Sequence, residues 1–163
     1  MVIGNGRKIT YDGKLIVTGT SGAIPAVCTL FNKVNFPSVT FNCTLDGLLE
    51  FDENTGEFLF LQRGFLIILA NVNFDTPAQP ERIEVCTMRD QGSGYGYLYG
   101  RSANITVLTN QQATFNGALH INKGDKLRFD LKSNGGSAFL VTETLVSGAV
   151  IPAAIIDFVL FNK

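Results

Sequence analysis

Glu50 to Phe74 reads EFDENTGEFLFLQRGFLIILANVNF. The first half, Phe51 to Leu61, holds a turn signal at Glu53-Asn54-Thr55-Gly56 and then a short apolar run, Phe58-Leu59-Phe60-Leu61. The second starts at Gly64 and continues as Phe65-Leu66-Ile67-Ile68-Leu69-Ala70 without a charge. A run of that length, built from aromatic and branched residues and bounded by Gly and Asn, predicts a strand dry on both faces. It is too short to span a bilayer as a helix. In an antiparallel sandwich one face of a strand normally meets water. A strand dry on both faces therefore needs a second cover on its outer side, such as another subunit.

Working outward, the rest of the chain supplies further strands. Val39 to Leu45 alternates, with Val39, Phe41, Cys43 and Leu45 expected inward and Thr40, Asn42 and Thr44 outward. Asp46-Gly47 then marks a turn. Arg82 to Met88 alternates about Ile83 and Val85. Lys126 to Leu131 alternates with Leu127, Phe129 and Leu131 inward, after a tight turn at Asn122 to Asp125. Pro25 to Phe31, Asn104 to Thr109, Gln112 to Ile121, Phe139 to Val146 and Ala154 to Phe161 are the other expected strands. Gln91 to Gly100, QGSGYGYLYG, reads as a loop rich in Gly and Tyr, and Asp75 to Pro80 as another. Residues 1–22, rich in Gly, Thr and Ser, read as an N-terminal arm or short strand, leaving 23–163 as the domain. No window shows a capped 3.6-residue apolar period. Short strands separated by turn chemistry predict an all-β sandwich, barrel or jelly roll.

Composition narrows the function. The 163 residues suit one domain and bury enough surface to fold without metals or disulfides. Charged residues make up 17%, below the usual ~25%, which leaves more surface for subunit contacts. A net charge of −1 gives nucleic acid no electrostatic footing. No basic amphipathic segment favours a membrane surface. Cys28, Cys43 and Cys86 are odd in number and widely spaced, and with the single His120 they form no zinc pattern. Three reduced thiols are expected. The first residues lack a basic region followed by a long apolar core, so assembly in a reducing cytoplasm is expected. On that ground the formal glycosylation acceptors at Asn42 and Asn104 are discounted.

Catalysis finds little footing. His120 lies in an expected strand between Leu119 and Ile121 with no nucleophile nominated, so it reads as structural. No nucleophile elbow, P-loop or zinc-helix motif occurs. The carboxylates at Asp46, Glu50, Asp52, Glu53 and Glu57, like Asp75, Glu81 and Glu84, lack calcium-loop spacing and read as solvated turn charges. No cofactor or metal is expected. Tyr95, Tyr97, Tyr99 and Arg101 are the candidate recognition loop, since Tyr and Arg combine apolar area with a hydrogen-bonding tip. The other reading of these tyrosines is cover for a sheet edge or a neighbouring subunit.

Three stretches resemble the globular heads of the complement C1q and tumour-necrosis-factor superfamily. They are Phe51-Asp52 with Thr55-Gly56, Phe58 and Gly64-Phe65; Lys123-Gly124-Asp125-Lys126-Leu127; and the terminal run Ile155 to Phe161. The resemblance covers roughly residues 25 to 163. It implies a ten-strand jelly roll assembling as a homotrimer. It also implies that the strand after Gly64 and the last strand lie in the inner sheet, which puts Phe65, Ile67, Leu69, Phe158 and Leu160 at the trimer interface. Asp157 departs from the small residue usual there. The family's collagen stem has no counterpart, and with no secretory signal read at the start, analogy points to a virion surface role, as head decoration, spike or fibre tip of a phage. The partners expected are the chain itself, a major capsid or other virion protein, and a host-surface ligand. The other expectations are a free C1q-like module binding carbohydrate or protein, and an enzyme on a jelly-roll scaffold, which the single histidine disfavours.

Overall fold

The computed structural model describes residues 2–3, 7–44, 47–75, 82–99, 111–136 and 138–161. Among them there is no helix. The strands in chain order are β1 (Val2–Ile3), β2 (Arg7–Thr18), β3 (Val27–Thr29), β4 (Thr40–Thr44), β5 (Leu49–Asp52), β6 (Glu57–Phe60), β7 (Gly64–Asp75), β8 (Ile83–Asp90), β9 (Tyr95–Tyr99), β10 (Gln111–Ile121), β11 (Lys126–Ser133), β12 (Phe139–Leu140), β13 (Glu143–Thr144), β14 (Val150–Ile151) and β15 (Ala154–Phe161). Ten of them are four residues or longer. With the shorter β1, β3 and β12 they form the two layers of the jelly roll expected from the sequence.

The first sheet runs β1-β2-β15-β7-β10, with β4 beside β2 and β12 beside β7. The second runs β5-β6-β11-β8-β9, with β3 beside β11. A separate hairpin joins β13 and β14. Every ladder is antiparallel. The strand Gly64–Asp75 lies between β15 and β10, pairing Ile68 with Phe158 on one side and with Gly117 on the other.

The inner faces of the sheets meet in a core rich in phenylalanine. Phe58 and Phe129 of the second sheet lie 5.8 Å apart between centroids, and Phe158 of the first sheet sits 5.1 Å from Phe58. Phe51 covers Phe58 at 4.7 Å, and Phe60 meets Phe158 at 6.2 Å. Edge-to-face and offset pairs of this kind add to the burial of the rings themselves. Leu127, Phe129 and Leu131 point inward and are wholly buried, as their alternation predicts.

Two glycines allow the layers to close. A Cβ on Gly64 would stand 2.4 Å from the Phe161 carbonyl oxygen and 3.1 Å from Leu160 Cδ1. A Cβ on Gly56, whose φ is +75°, would meet the Leu30 carbonyl oxygen at 2.4 Å. Only a residue without a side chain fits either place. The buried Asp125 carboxylate accepts from the Arg89 guanidinium and from the Asn122 amide at 2.9 Å, which fixes the turn between β10 and β11.

Several expectations change. Residues 7–22 are not an arm outside the domain. Between Ile9 and Val17 the strand pairs with β15, from Lys14 to Thr18 it pairs with β4, and Leu15 and Val17 are core residues. The chain after it is tied down too: Ser21 and Leu140 exchange two hydrogen bonds, and the Ile24 amide donates to the Ala138 carbonyl at 2.7 Å. The stretch read as a Tyr-rich loop is a turn followed by β9, an edge strand paired with β8. Phe139 to Val146 breaks into two short pieces. The strand containing Thr40–Thr44 exists, but Cys43 is exposed rather than inward. The expected strand at 104–109 lies outside the described residues.

Removing residues 1–18 is expected to abolish folding, read as loss of the far-ultraviolet β signal, because it strips a core strand from β15. Gly64→Ala should lower unfolding stability by about 1–3 kcal/mol in urea titration, since β7 must move off the last strand.

Candidate functional site

The pleat assigns every residue of the first sheet to one face. On β7, Leu66, Ile68, Ala70 and Val72 are buried in the core. Phe65, Ile67 and Leu69 point away from it, and Leu69 is 48% exposed. Their opposite residues on β15 are Phe161, Val159 and Asp157. On β10 they are His120, Ala118 and Asn116. Phe65 and His120 pack edge-to-face with centroids 5.2 Å apart. The result is an apolar strip across three adjacent strands on the outer side of the sandwich. Polar pairs border it. Thr114 Oγ1 donates to Asn71 Oδ1 at 2.9 Å, and Lys14 Nζ lies 3.3 Å from Asp157 Oδ1.

This geometry divides the expected interface set. Phe65, Ile67 and Leu69 are on the outer face, as an interface role requires. Phe158 and Leu160 are not: both are wholly buried in the core of the single subunit, opposite Ile68 and Leu66. The residues of the last strand that share the face with Ile67 are Val159 and Phe161. Asp157, the departure from the family pattern, also points outward to Lys14 and so leaves the core unaffected.

The outer face of the second sheet has a different chemistry. Lys126, Arg128 and Asp130 of β11 alternate outward and stand opposite Asp90, Met88 and Cys86 of β8. Tyr95 lies across them. Its hydroxyl donates to Glu57 Oε1 at 2.7 Å, and the Arg128 guanidinium stacks 4.0 Å from its ring centre. Arg128 in turn donates from Nη2 to Asp130 Oδ2 at 3.0 Å, and Thr29 Oγ1 donates to Asp130 Oδ1 at 2.9 Å. Lys126 Nζ closes the group 3.5 Å from Glu57 Oε2. Burial, and after it the Glu57 carboxylate, push the Tyr95 phenol well above its ordinary pKa, so it stays a neutral donor. Tyr95 is thus a fixed structural tyrosine. Tyr97, two residues on, is 57% exposed. The side chain of Tyr99, and Arg101, lie outside what is described.

The remaining candidates resolve into structure. The Glu53 carboxylate pairs with Lys33 at 3.1 Å, and Asp52 accepts from the Asn54 amide at 2.9 Å. Asp90 Oδ1 accepts from the amides of Gly92 and Gly94 at 2.7 and 2.9 Å, which holds its carboxyl below the usual range. Asp46 and Glu81 lie outside the described residues. Among the described residues no three of His, Cys, Asp and Glu gather as a metal group. The cysteines form no disulfide. Burial and the nearby Asp130 push Cys28 up to about 12, while burial and Glu53 push Cys43 up to about 11, so neither is a ready thiolate at neutral pH.

No protein-family model matches the chain, and no curated protein matches it. Solved structures do. Murine APRIL superposes with a TM-score of 0.59 at 11% identity, over 92% of this chain and 98% of that one. The globular domain of zebrafish complement 1qA protein gives 0.54 at 11% identity, over 91% and 95%. The fold is C1q/TNF-like. Eiger TNF from S. frugiperda agrees, with a TM-score of 0.52 at 11% identity over 94% of this chain and 93% of that one. At such identities the likeness is one of architecture, and the character of each face rests on this chain's own residues.

The Asp90 arrangement makes a pH-dependent prediction. Its folded-state pKa is lowered, so its contribution is present above the ordinary carboxylate value and is lost as pH falls through the folded one. Asp90→Asn should therefore be less stable than wild type near neutrality, and the gap in urea midpoint should narrow in acid.

Proposed function

We propose that this chain is a non-enzymatic recognition module that works as a homotrimer. The first sheet's outer face packs against neighbouring copies, and the second sheet with its loops faces outside partners. The observation carrying this reading is the contrast between the two outer faces. One presents Phe65, Ile67, Leu69, Val159 and Phe161, with the Lys14–Asp157 pair and Asp12 at its side. The other is laced with charges that already satisfy one another. A partly exposed apolar strip of that kind marks an interaction surface, and closed symmetry is the usual outcome of self-association. The C1q/TNF-like fold supports the same reading. A neighbouring copy packed on the strip gives the dry second face of β7 its missing cover.

The outside partner is a protein or carbohydrate surface meeting the polar sheet, where Tyr97 offers an exposed aromatic ring beside the fixed Tyr95–Arg128 pair. A virion surface role was expected by analogy alone, and attachment through a free N-terminal segment would be its natural device. With that segment built into the first sheet, no observation favours the virion role over a free module.

Two substitutions on adjacent residues separate folding from assembly. Ile68→Asp places a charge in the core and is expected to unfold the subunit, at a cost of several kcal/mol. Ile67→Asp alters only the outer face and should leave a folded monomer. Sedimentation at micromolar concentration together with circular dichroism reads both. A wild-type chain that sediments as a monomer overturns the proposal.

A further inference from the structure

His120 is the only histidine in the chain, and it stands on the apolar strip. It is exposed in the single subunit, with its ring against Phe65. With Arg63, Gly64, Ile121 and Asn122 it lines a recess of about 300 Å³. The recess lining contains no carboxylate. On β10 the other outward residues near it, Asn116 and Thr114, are uncharged. On β7, the strand packed beside it, the outward residues are Phe65, Ile67 and Leu69. Arg63, from the turn before β7, brings a positive charge to the recess, and Lys123 follows in the exposed turn after β10. The carboxylates on the same face are Asp157 of β15, engaged with Lys14, and the exposed Asp12 of β2, opposite Val159.

We propose that His120 makes self-association acid-sensitive: its neutral imidazole is admitted to the subunit interface and its imidazolium is expelled. The inference rests on the homotrimer reading and adds its regulation. A histidine in water gains its charge near pH ~6.5. Burying that charge against a neighbouring subunit is costly without an anionic partner, and the charged side chain that shares the recess is the like-charged Arg63. The assembled form therefore binds fewer protons than the free subunit. By linkage, assembly is unaffected where imidazoles are neutral and weakens as pH falls through the range in which they charge. Each pH unit below that range weakens association by up to ~10-fold per imidazole, and so by up to ~1000-fold in a monomer–trimer constant with three of them.

The test is sedimentation of the full chain at micromolar concentration, at about pH 7.5 and about pH 5, for wild type, His120→Gln and His120→Phe. The wild type is expected to be trimeric at the higher pH and to dissociate at the lower, while both variants stay trimeric at both. Two replacements guard against one of them disturbing the surface. A wild type that is trimeric at both values overturns the acid switch and leaves the trimer standing. Variants that dissociate in acid as the wild type does also overturn it, because carboxylates would then be responsible. A wild type monomeric at the higher pH overturns the homotrimer reading itself.

Discussion

The contact between Phe58 and Phe158, 5.1 Å between ring centres, is the constraint on which the rest depends. It joins the second strand of the family-like hairpin in one sheet to the last strand in the other. With Phe129 and Phe51 packed on Phe58, it sets the rotation of β15 about its own axis. Because strand side chains alternate strictly, an inward Phe158 forces Asp157, Val159 and Phe161 outward. A slip of one residue would carry Asp157 into a core where it has no partner. The aromatic core thus fixes the composition of the surface on the far side of the sheet. The apolar strip is a consequence of how the interior is packed.

The two glycines serve the same end by different means. Gly64 lets the start of β7 lie against the carbonyl of Phe161. This brings Phe65 level with Phe161 on one side and His120 on the other. Gly56 lets the preceding turn fold under Leu30 at positive φ. Both belong to the stretch that carries the family resemblance, and each has a steric reason to be glycine. The second sheet needs no such cover. Its charges neutralise one another, Arg128 with Asp130 along β11 and Lys126 with Glu57 across to β6, and pairs so near the surface contribute little stability.

Much of the fold was legible because its signals were two-fold periodic. Lys126 to Leu131 alternates cleanly, and the Glu53–Gly56 turn announces its hairpin. The phase of the last strand was not legible. Ile155 to Phe161 is apolar on both parities save for Asp157, so periodicity alone could not say whether Phe158 or Val159 faces the core. That choice is made by the phenylalanines of the opposite sheet. Tyr95–Tyr99 read as a loop because glycine is disfavoured in strands. Pairing with β8 at the sheet's edge outweighs that preference. Arg7–Thr18 was obscured by the Gly, Thr and Ser of residues 1–22, although Asp12 and Gly13 lie within the ladder to β15. The single histidine was read as structural. Its place beside Phe65 becomes visible only once the register of β10 on β7 is known.

The pairing of Arg7–Thr18 with Ala154–Phe161 joins strands far apart in sequence. During synthesis, β2 must wait for every strand between them before its central partner exists. Until then β7 also keeps one hydrogen-bonding edge open, beside the same apolar side chains that make up the strip. Such distant pairings slow folding, because a long loop must close before any contact repays its entropy. The unfinished sheet is an edge that other strands can capture. The eight residues of β15 are therefore the bolt of the structure, and arrest of translation just before them would leave a chain predisposed to aggregate.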